Sequence, residues 1–137
     1  MKQHKLIVIS LDSLGFRDLN ELRQITPTLA NLIKKGTWVK KVKGIFPTLT
    51  YPSHTSIITG QYPAVHGIVN NTKLQPRRQS PDWFWYRKDI QSMPLYDIAK
   101  EKDLTTAAFL WPVTAGSKID YNLAEIFPNR IWTNQVL

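Results

Sequence analysis

Residues 6–11 read LIVISL, and Asp12 follows them directly. The run has the length of a strand and no regular alternation of polar and apolar residues, a pattern typical of a parallel strand that is covered on both faces. We therefore predict a buried strand over residues 6–11, with Asp12 at its carboxyl end. Ligands of open parallel sheets bind at that end of the strands, which makes Asp12 a candidate metal ligand or general base. A carboxylate that only caps the next turn is the competing explanation.

The next well-marked segment carries helix signals. Residues 26–36 read TPTLANLIKKG, with a threonine as candidate N-cap, a proline at the first helical position and a glycine as the stop. Residues 61–93 read mostly as a loop. Further helices are expected over residues 52–60 and 94–102, and further strands over residues 37–42 and 105–111. This alternation predicts an α/β fold, a mainly parallel sheet flanked by helices, with no internal domain boundary between residues 1 and 137.

The composition excludes several classes of protein. The chain has 137 residues, of which 42% are hydrophobic, and it has no cysteine. The hydrophobic fraction is too high for a disordered chain, and the absence of cysteine excludes a disulfide framework and a thiolate metal site. No apolar run approaches the roughly 20 residues that cross a bilayer, so we expect no membrane partner. The short apolar run after the basic start ends at Asp12 without a cleavage site, and we expect a cytoplasmic protein.

The net charge of +8 arises from 18 basic and 10 acidic residues. A polyanion such as nucleic acid is one partner that this charge would suit. The basic residues concentrate over residues 34–43 and at Arg77 and Arg78, and aromatic residues are not interleaved with them in a stacking pattern. A solvated basic surface is the more ordinary explanation, so we do not expect a nucleic-acid partner.

Residues 46–54 read FPTLTYPSH and hold a candidate nucleophile. Thr50 stands close before a proline that can open a helix, where backbone N–H groups favour an anion. A hydroxyl there can act as a nucleophile when a metal ion lowers its pKa. Thr50 could instead serve only as the N-cap of the helix. His54 and His66 have no third ligand near them in the sequence, so we leave both of them, and His4, out of the metal site.

Several segments resemble one family when they are taken in order. They are residues 8–12 (VISLD), 26–36, 46–54, 59–63 (TGQYP) and 66–71 (HGIVNN). This ordered set resembles the type I phosphodiesterase/nucleotide pyrophosphatase family of the alkaline phosphatase superfamily. The resemblance is strongest over residues 6–71, and it implies an alkaline-phosphatase-like fold.

The resemblance also implies an activity and a site. Asp12 resembles the aspartate that binds one of two divalent metal ions, which are zinc in the family. Thr50 resembles the threonine that coordinates this metal and attacks phosphorus. Asn71 resembles the asparagine that donates a hydrogen bond to a phosphoryl oxygen, and Tyr51 stands where the family has an aromatic residue that lines the substrate pocket. The implied activity is metal-dependent hydrolysis of phosphodiester or pyrophosphate bonds in small phosphoric esters or nucleotides.

The resemblance implies further metal ligands that this sequence does not contain. The family's other ligands are aspartates and histidines, whereas no histidine follows Asn71 in this chain. The chain therefore resembles the N-terminal part of a longer enzyme. We expect this part to be inactive by itself, and to self-associate through apolar surface that the remaining part would cover.

Two alternatives stay open at this point. One is another hydrolase of the same superfamily, such as a phosphonoacetate hydrolase or a phosphomonoesterase. The other is a basic anion-binding or nucleic-acid-binding module without catalysis. The second alternative predicts binding to nucleic acid that weakens steeply as the salt concentration rises.

Overall fold

The structure is a computed structural model that describes residues 5–126. It falls into two compact units, an N-terminal unit, Met1–Lys43, and a C-terminal unit, Gly44–Leu137. Within the described range, none of the helices has the length and apolar character needed to cross a membrane. The prediction of one undivided portion of a catalytic domain stays a prediction.

The N-terminal unit contains two helices that pack against each other, α1 (Phe16–Ile25) and α2 (Pro27–Lys35). The predicted helix α2 is confirmed, because Thr26 is extended, the helix starts at a proline, and the N–H of Gly36 donates to the carbonyl of Leu32 at 2.8 Å. Helix α1 was not predicted. Its signal is a carboxylate in the first turn, since Asp18 Oδ2 accepts the N–H of Gly15 at 2.8 Å and so satisfies a backbone donor at the start of the helix.

The predicted strands over residues 6–11 and 37–42 are wrong in this structure. Neither segment is a strand, and the side chains of residues 6–11 are largely exposed, Ile7 at 79% and Ile9 at 78%. A parallel strand needs a neighbouring strand for its backbone hydrogen bonds and layers over both faces. The described part of this unit supplies two helices and no strand, so the apolar run has nothing to pair with there. Asp12 consequently lies in a turn instead of at a strand end.

The C-terminal unit contains the remaining elements. They are α3 (Thr50–Thr59), α4 (Pro63–His66), a short 3-10 helix (Arg87–Asp89), α5 (Leu95–Glu101), β1 (Ala107–Phe109) and β2 (Tyr121–Leu123). Strands β1 and β2 are parallel, with Ala108 opposite Asn122. The predicted α/β class with a parallel sheet is confirmed, although β1 is shorter than predicted. The expected loop over residues 61–93 also contains α4 and the 3-10 helix.

The core of the C-terminal unit forms around α3 and the loops that pack on it. Its buried apolar residues are Tyr51, Ile68, Trp85, Ile90, Val113 and Ala115. These residues come from α3 and from loops rather than from the two-stranded sheet. Consequently, the part of the structure with the best-defined interior surrounds the N-terminal half of α3.

Two glycines end helices in the left-handed region, which favours glycine. Gly60 follows α3 with φ of 65°, and Gly67 follows α4 with φ of 82°. They differ in their surroundings. A Cβ at Gly60 would meet nothing within 4 Å, whereas a Cβ at Gly67 would lie 2.8 Å from Cδ of Gln91. The backbone N–H of Gln91 donates to the carbonyl of His66 at 3.0 Å, which keeps this residue beside Gly67.

We therefore expect Gly67→Ala to destabilise the protein more than Gly60→Ala. Gly60→Ala should lower the free energy of unfolding by about 1 kcal/mol through backbone strain. Gly67→Ala should lower the free energy of unfolding by about 1 kcal/mol more than Gly60→Ala does, because it also displaces the Gln91 side chain. Denaturant titration measures both, and Gln91→Ala in the Gly67→Ala background should remove the added cost. Equal effects of the two glycine substitutions would contradict the close approach.

Candidate functional site

The candidate site is built on the first turn of α3. Leu49 is the extended N-cap residue, with φ of −99° and ψ of 154°, and Thr50 is the first residue of the helix. The interpretation of Thr50 as only an N-cap is therefore wrong. The helix begins two residues before Pro52, the residue from which it was predicted. Pro52 removes no helical hydrogen bond at this position, because the first N–H groups of a helix have no partner within the helix.

A side chain from a distant loop completes the first turn. The backbone N–H of Tyr51 donates to Oδ1 of Asn71 at 3.0 Å. Since a backbone N–H can only donate, this contact assigns the oxygen of the Asn71 amide to Tyr51 and leaves its Nδ2 group as a hydrogen-bond donor. The structure thus brings Thr50, Tyr51 and Asn71 together, as three of the four residues that the sequence singled out.

The loop that carries Asn71 is fixed by its own hydrogen bonds. The N–H of Asn71 donates to Oδ1 of Asn70 at 2.8 Å. Its carbonyl accepts the N–H of Phe84 at 3.0 Å, next to an antiparallel bridge between Thr72 and Trp83. These bonds at the N–H and the carbonyl of Asn71 fix its backbone, which limits how far its side-chain amide can move.

Tyr51 lies in the interior rather than on an open surface. Its side chain is fully buried and meets Trp83 edge to face, with ring centroids 5.3 Å apart. Burial raises the pKa of the Tyr51 phenol well above its ordinary value, so the phenol stays neutral. The pocket-lining role that the resemblance implies stays a prediction, and it requires the groups around the ring to move aside.

His54 contacts the nucleophile candidate from one turn further along the helix. It is 8% exposed, and its Nδ1 donates to the carbonyl of Thr50 at 2.8 Å. The imidazole meets the indole ring of Trp111 edge to face, with centroids 5.1 Å apart. Sequence reasoning missed this contact, although the spacing of four residues between Thr50 and His54 places both on one face of a helix.

His66 is fully buried and occupied by internal hydrogen bonds. Its Nδ1 accepts the N–H of Ile68 at 3.1 Å, and its Nε2 lies 3.0 Å from Oγ of Ser56. Because Nδ1 accepts, Nε2 carries the proton and donates to the serine. Both ring nitrogens are thus engaged in hydrogen bonds within the C-terminal unit.

The described residues do not form a metal site by themselves. Over residues 5–126, no group of three or more histidine, cysteine, aspartate or glutamate side chains is placed to hold an ion. Asp12 lies exposed in the N-terminal unit, where its Oδ1 accepts the N–H of Ser13 at 2.9 Å. Thr50 lies half-buried in the C-terminal unit. Each of them carries an oxygen atom of a type that divalent ions accept as a ligand.

Comparison with known proteins identifies the class of fold and then the family. The helices and parallel strands resemble part of an alkaline-phosphatase-like α/β fold. The profile of the type I phosphodiesterase / nucleotide pyrophosphatase family matches residues 6–136, and the chain belongs to this family.

Individual relatives are similar over most of this chain. Human ectonucleotide pyrophosphatase/phosphodiesterase family member 1 is 31% identical over 134 residues, which is 90% of this chain and 13% of that protein. A bovine bis(5'-adenosyl)-triphosphatase is 35% identical over 118 residues, covering 80% of this chain and 25% of that protein. The chain therefore spans a quarter or less of the length of these two relatives.

A solved structure shows the same relationship. Murine ectonucleotide pyrophosphatase/phosphodiesterase 5, in an inactive threonine-to-alanine variant bound to AMP, superposes with a TM-score of 0.70 and 25% identity. The match covers 90% of this chain and 34% of the murine chain. The family prediction from the sequence motifs is thereby confirmed.

The burial of His66 leads to a pH dependence of stability. Burial lowers the pKa of the folded-state imidazole below its ordinary value of about 6.5, so the unfolded chain takes up a proton first as the pH falls. The free energy of unfolding should therefore keep its full value above about pH 6.5, and decrease below it until the folded-state pKa is reached. Denaturant titrations between pH 5 and pH 8 measure this slope.

His66→Asn provides the control for that slope, because an asparagine oxygen can accept the N–H of Ile68 without titrating. The variant is expected to be less stable at pH 8 and to lose part of the pH dependence between pH 5 and 6.5. An unchanged slope in the variant would show that other groups cause the dependence.

Proposed function

We propose that this chain carries the nucleophile of a metal-dependent hydrolase that cleaves phosphodiester or pyrophosphate bonds. The observation that carries the proposal is the first turn of α3, where Thr50 is the first helical residue and Asn71 binds the adjacent backbone N–H at 3.0 Å. Membership of the type I phosphodiesterase / nucleotide pyrophosphatase family supports it. The threonine-to-alanine variant of the murine relative, which is inactive, is a further support.

In this proposal, the chain's own residues supply the nucleophile and part of the charge stabilisation. Oγ1 of Thr50, after losing its proton, attacks phosphorus while the P–O bond to the leaving group breaks. Water then cleaves the Oγ1–P bond of the phosphothreonine, which restores the hydroxyl of Thr50 and releases the phosphate monoester. The N-terminal end of α3 favours the negative charge of the phosphoryl group. Nδ2 of Asn71 donates to a phosphoryl oxygen, because Oδ1 of the same amide already accepts from Tyr51.

The proposed cofactors are two divalent ions, and we propose zinc. When bound, such a pair would lower the pKa of the attacking hydroxyl and stabilise the charge on the attacking and leaving oxygens. Asp12 and Thr50 are each proposed to supply an oxygen ligand to a metal ion. The other ligands are proposed to come from residues outside this chain, since residues 5–126 contain no group of three or more histidine, cysteine, aspartate or glutamate side chains placed to hold an ion.

The proposed substrates are nucleotide phosphodiesters or pyrophosphates. The activity for which the bovine relative is named, bis(5'-adenosyl)-triphosphatase, and the AMP in the murine structure support this substrate class. Tyr51 is proposed to line the pocket beside Thr50. A hydrolase of another specificity within the superfamily would share the same first turn, so the ratio of diester to monoester turnover distinguishes the two.

Replacing the nucleophile tests the proposal directly. In the protein expressed from its complete reading frame, Thr50→Ala should lower turnover of a chromogenic phosphodiester by at least about 10³-fold, because the substitution removes the hydroxyl that attacks phosphorus. Thr50→Ser should keep measurable activity. Thr59→Val, at the other end of α3, is the matched control and should leave turnover unchanged. Wild-type turnover by Thr50→Ala would refute the proposed mechanism.

A substitution at Asn71 separates its structural and chemical roles. Asn71→Asp keeps an oxygen that accepts from the backbone N–H of Tyr51, and replaces the Nδ2 donor with an anionic oxygen. We expect the folded variant to lose about 10²–10³-fold in kcat, since a donor to the phosphoryl oxygen is exchanged for a repulsive charge. Steady-state kinetics with the same phosphodiester measures the loss. A variant with wild-type kcat would exclude Asn71 from charge stabilisation.

A further inference from the structure

Two successive side-chain contacts connect the turn that carries Trp111 to the backbone of Thr50 through His54. One of them is the hydrogen bond from Nδ1 of His54 to the carbonyl of Thr50, at 2.8 Å. The imidazole is 8% exposed and meets the ring of Trp111 edge to face. His54 is thus fixed on one side by the helix and on the other by an aromatic ring.

The turn that carries Trp111 is itself fixed. Leu110 has φ of 50° and Val113 has φ of 59°, so two non-glycine residues adopt the left-handed region on either side of the indole. Oγ1 of Thr114 donates to the carbonyl of Trp111 at 2.8 Å. Val113 is fully buried in the core, which anchors the turn despite its unfavourable backbone conformation.

We propose that His54 is a positioning residue for the nucleophile, and that the turn bearing Trp111 holds the imidazole in place for this purpose. This inference rests on the proposed function of Thr50. The hydroxyl of a threonine follows its own backbone, because a β-branched side chain has few χ1 rotamers. A hydrogen bond that fixes the carbonyl of Thr50 therefore limits where Oγ1 can lie.

Other side chains of the helix make the same kind of bond without contacting Thr50. Oγ1 of Thr59 donates to the carbonyl of Thr55 at 2.7 Å, again across four residues. A role limited to helix stability would make the bonds of His54 and Thr59 equivalent for activity. A positioning role predicts that loss of the His54 bond lowers kcat and that loss of the Thr59 bond does not.

The test compares variants of His54 in the protein expressed from its complete reading frame, with a chromogenic phosphodiester as substrate. His54→Leu should lower kcat by about 10²-fold with KM within about threefold of wild type, because displacement of a reacting group by about 1 Å has effects of this size. His54→Asn places an amide nitrogen near the position of Nδ1, and should recover kcat to within about tenfold of wild type. His54→Gln places its nitrogen near the position of Nε2, and should behave as His54→Leu does.

The same kinetic measurement on Trp111 variants tests whether the ring beside His54 contributes to the position of Thr50. Trp111→Phe keeps an aromatic ring beside the imidazole and should retain most of kcat. Trp111→Leu removes the ring and should lower kcat by about tenfold, a smaller effect than that of His54→Leu because the hydrogen bond to Thr50 itself remains.

Thr59→Val is the matched control, and its melting temperature is measured beside that of each His54 variant. A His54→Leu variant with wild-type kcat, or a folded His54→Asn variant as impaired as His54→Gln, would overturn the positioning role. If His54→Leu does not fold, the comparison of kcat between His54→Asn and His54→Gln still tests the positioning role, since both side chains are amides of similar polarity. Failure of the proposed function is separate: Thr50→Ala would then retain turnover, whatever the His54 variants do.

Discussion

The hydrogen bond from the backbone N–H of Tyr51 to Oδ1 of Asn71 is the constraint on which the C-terminal unit depends. It joins the start of α3 to a loop 20 residues further along the chain. The bond satisfies one of the backbone donors that every helix leaves unpaired at its start. It also fixes the orientation of the Asn71 amide, whose Nδ2 group can donate a hydrogen bond to a ligand. One contact therefore stabilises the helix and places two candidate site residues side by side.

Several buried polar groups on α3 have hydrogen-bond partners within the C-terminal unit. Oγ1 of Thr55 donates to the carbonyl of Tyr51 at 2.8 Å, and Ser56 accepts from His66 on α4. Because a buried polar group without a partner costs about 1–3 kcal/mol, these bonds define which packing of α3 against α4 is allowed. The helix that carries the candidate nucleophile is thus held through its backbone carbonyls as well as through its apolar side chains.

The sequence predicts some of this arrangement and not the rest, for physical reasons. Local signals define α2, since the proline after Thr26 and the stop at Gly36 act within a few residues. The apolar run over residues 6–11 predicts a strand, but strand formation requires partners that a local pattern does not contain. The contact of Asn71 with the first turn of α3 is equally non-local. Its participation in the site was implied by the family resemblance, whereas no spacing rule connects it to Thr50.

The conformation of Val113 has a consequence for engineering the protein's thermal stability. A β-branched residue in the left-handed region carries a strain of about 1–3 kcal/mol, and substitution by glycine is the usual way to remove such a cost. Here the valine side chain is also fully buried in the core, so glycine would exchange the strain for a cavity of comparable cost. The two penalties oppose each other at one position. The turn is therefore a poor target for stabilising mutations, and gains are better sought on the exposed surfaces of α2 and α5.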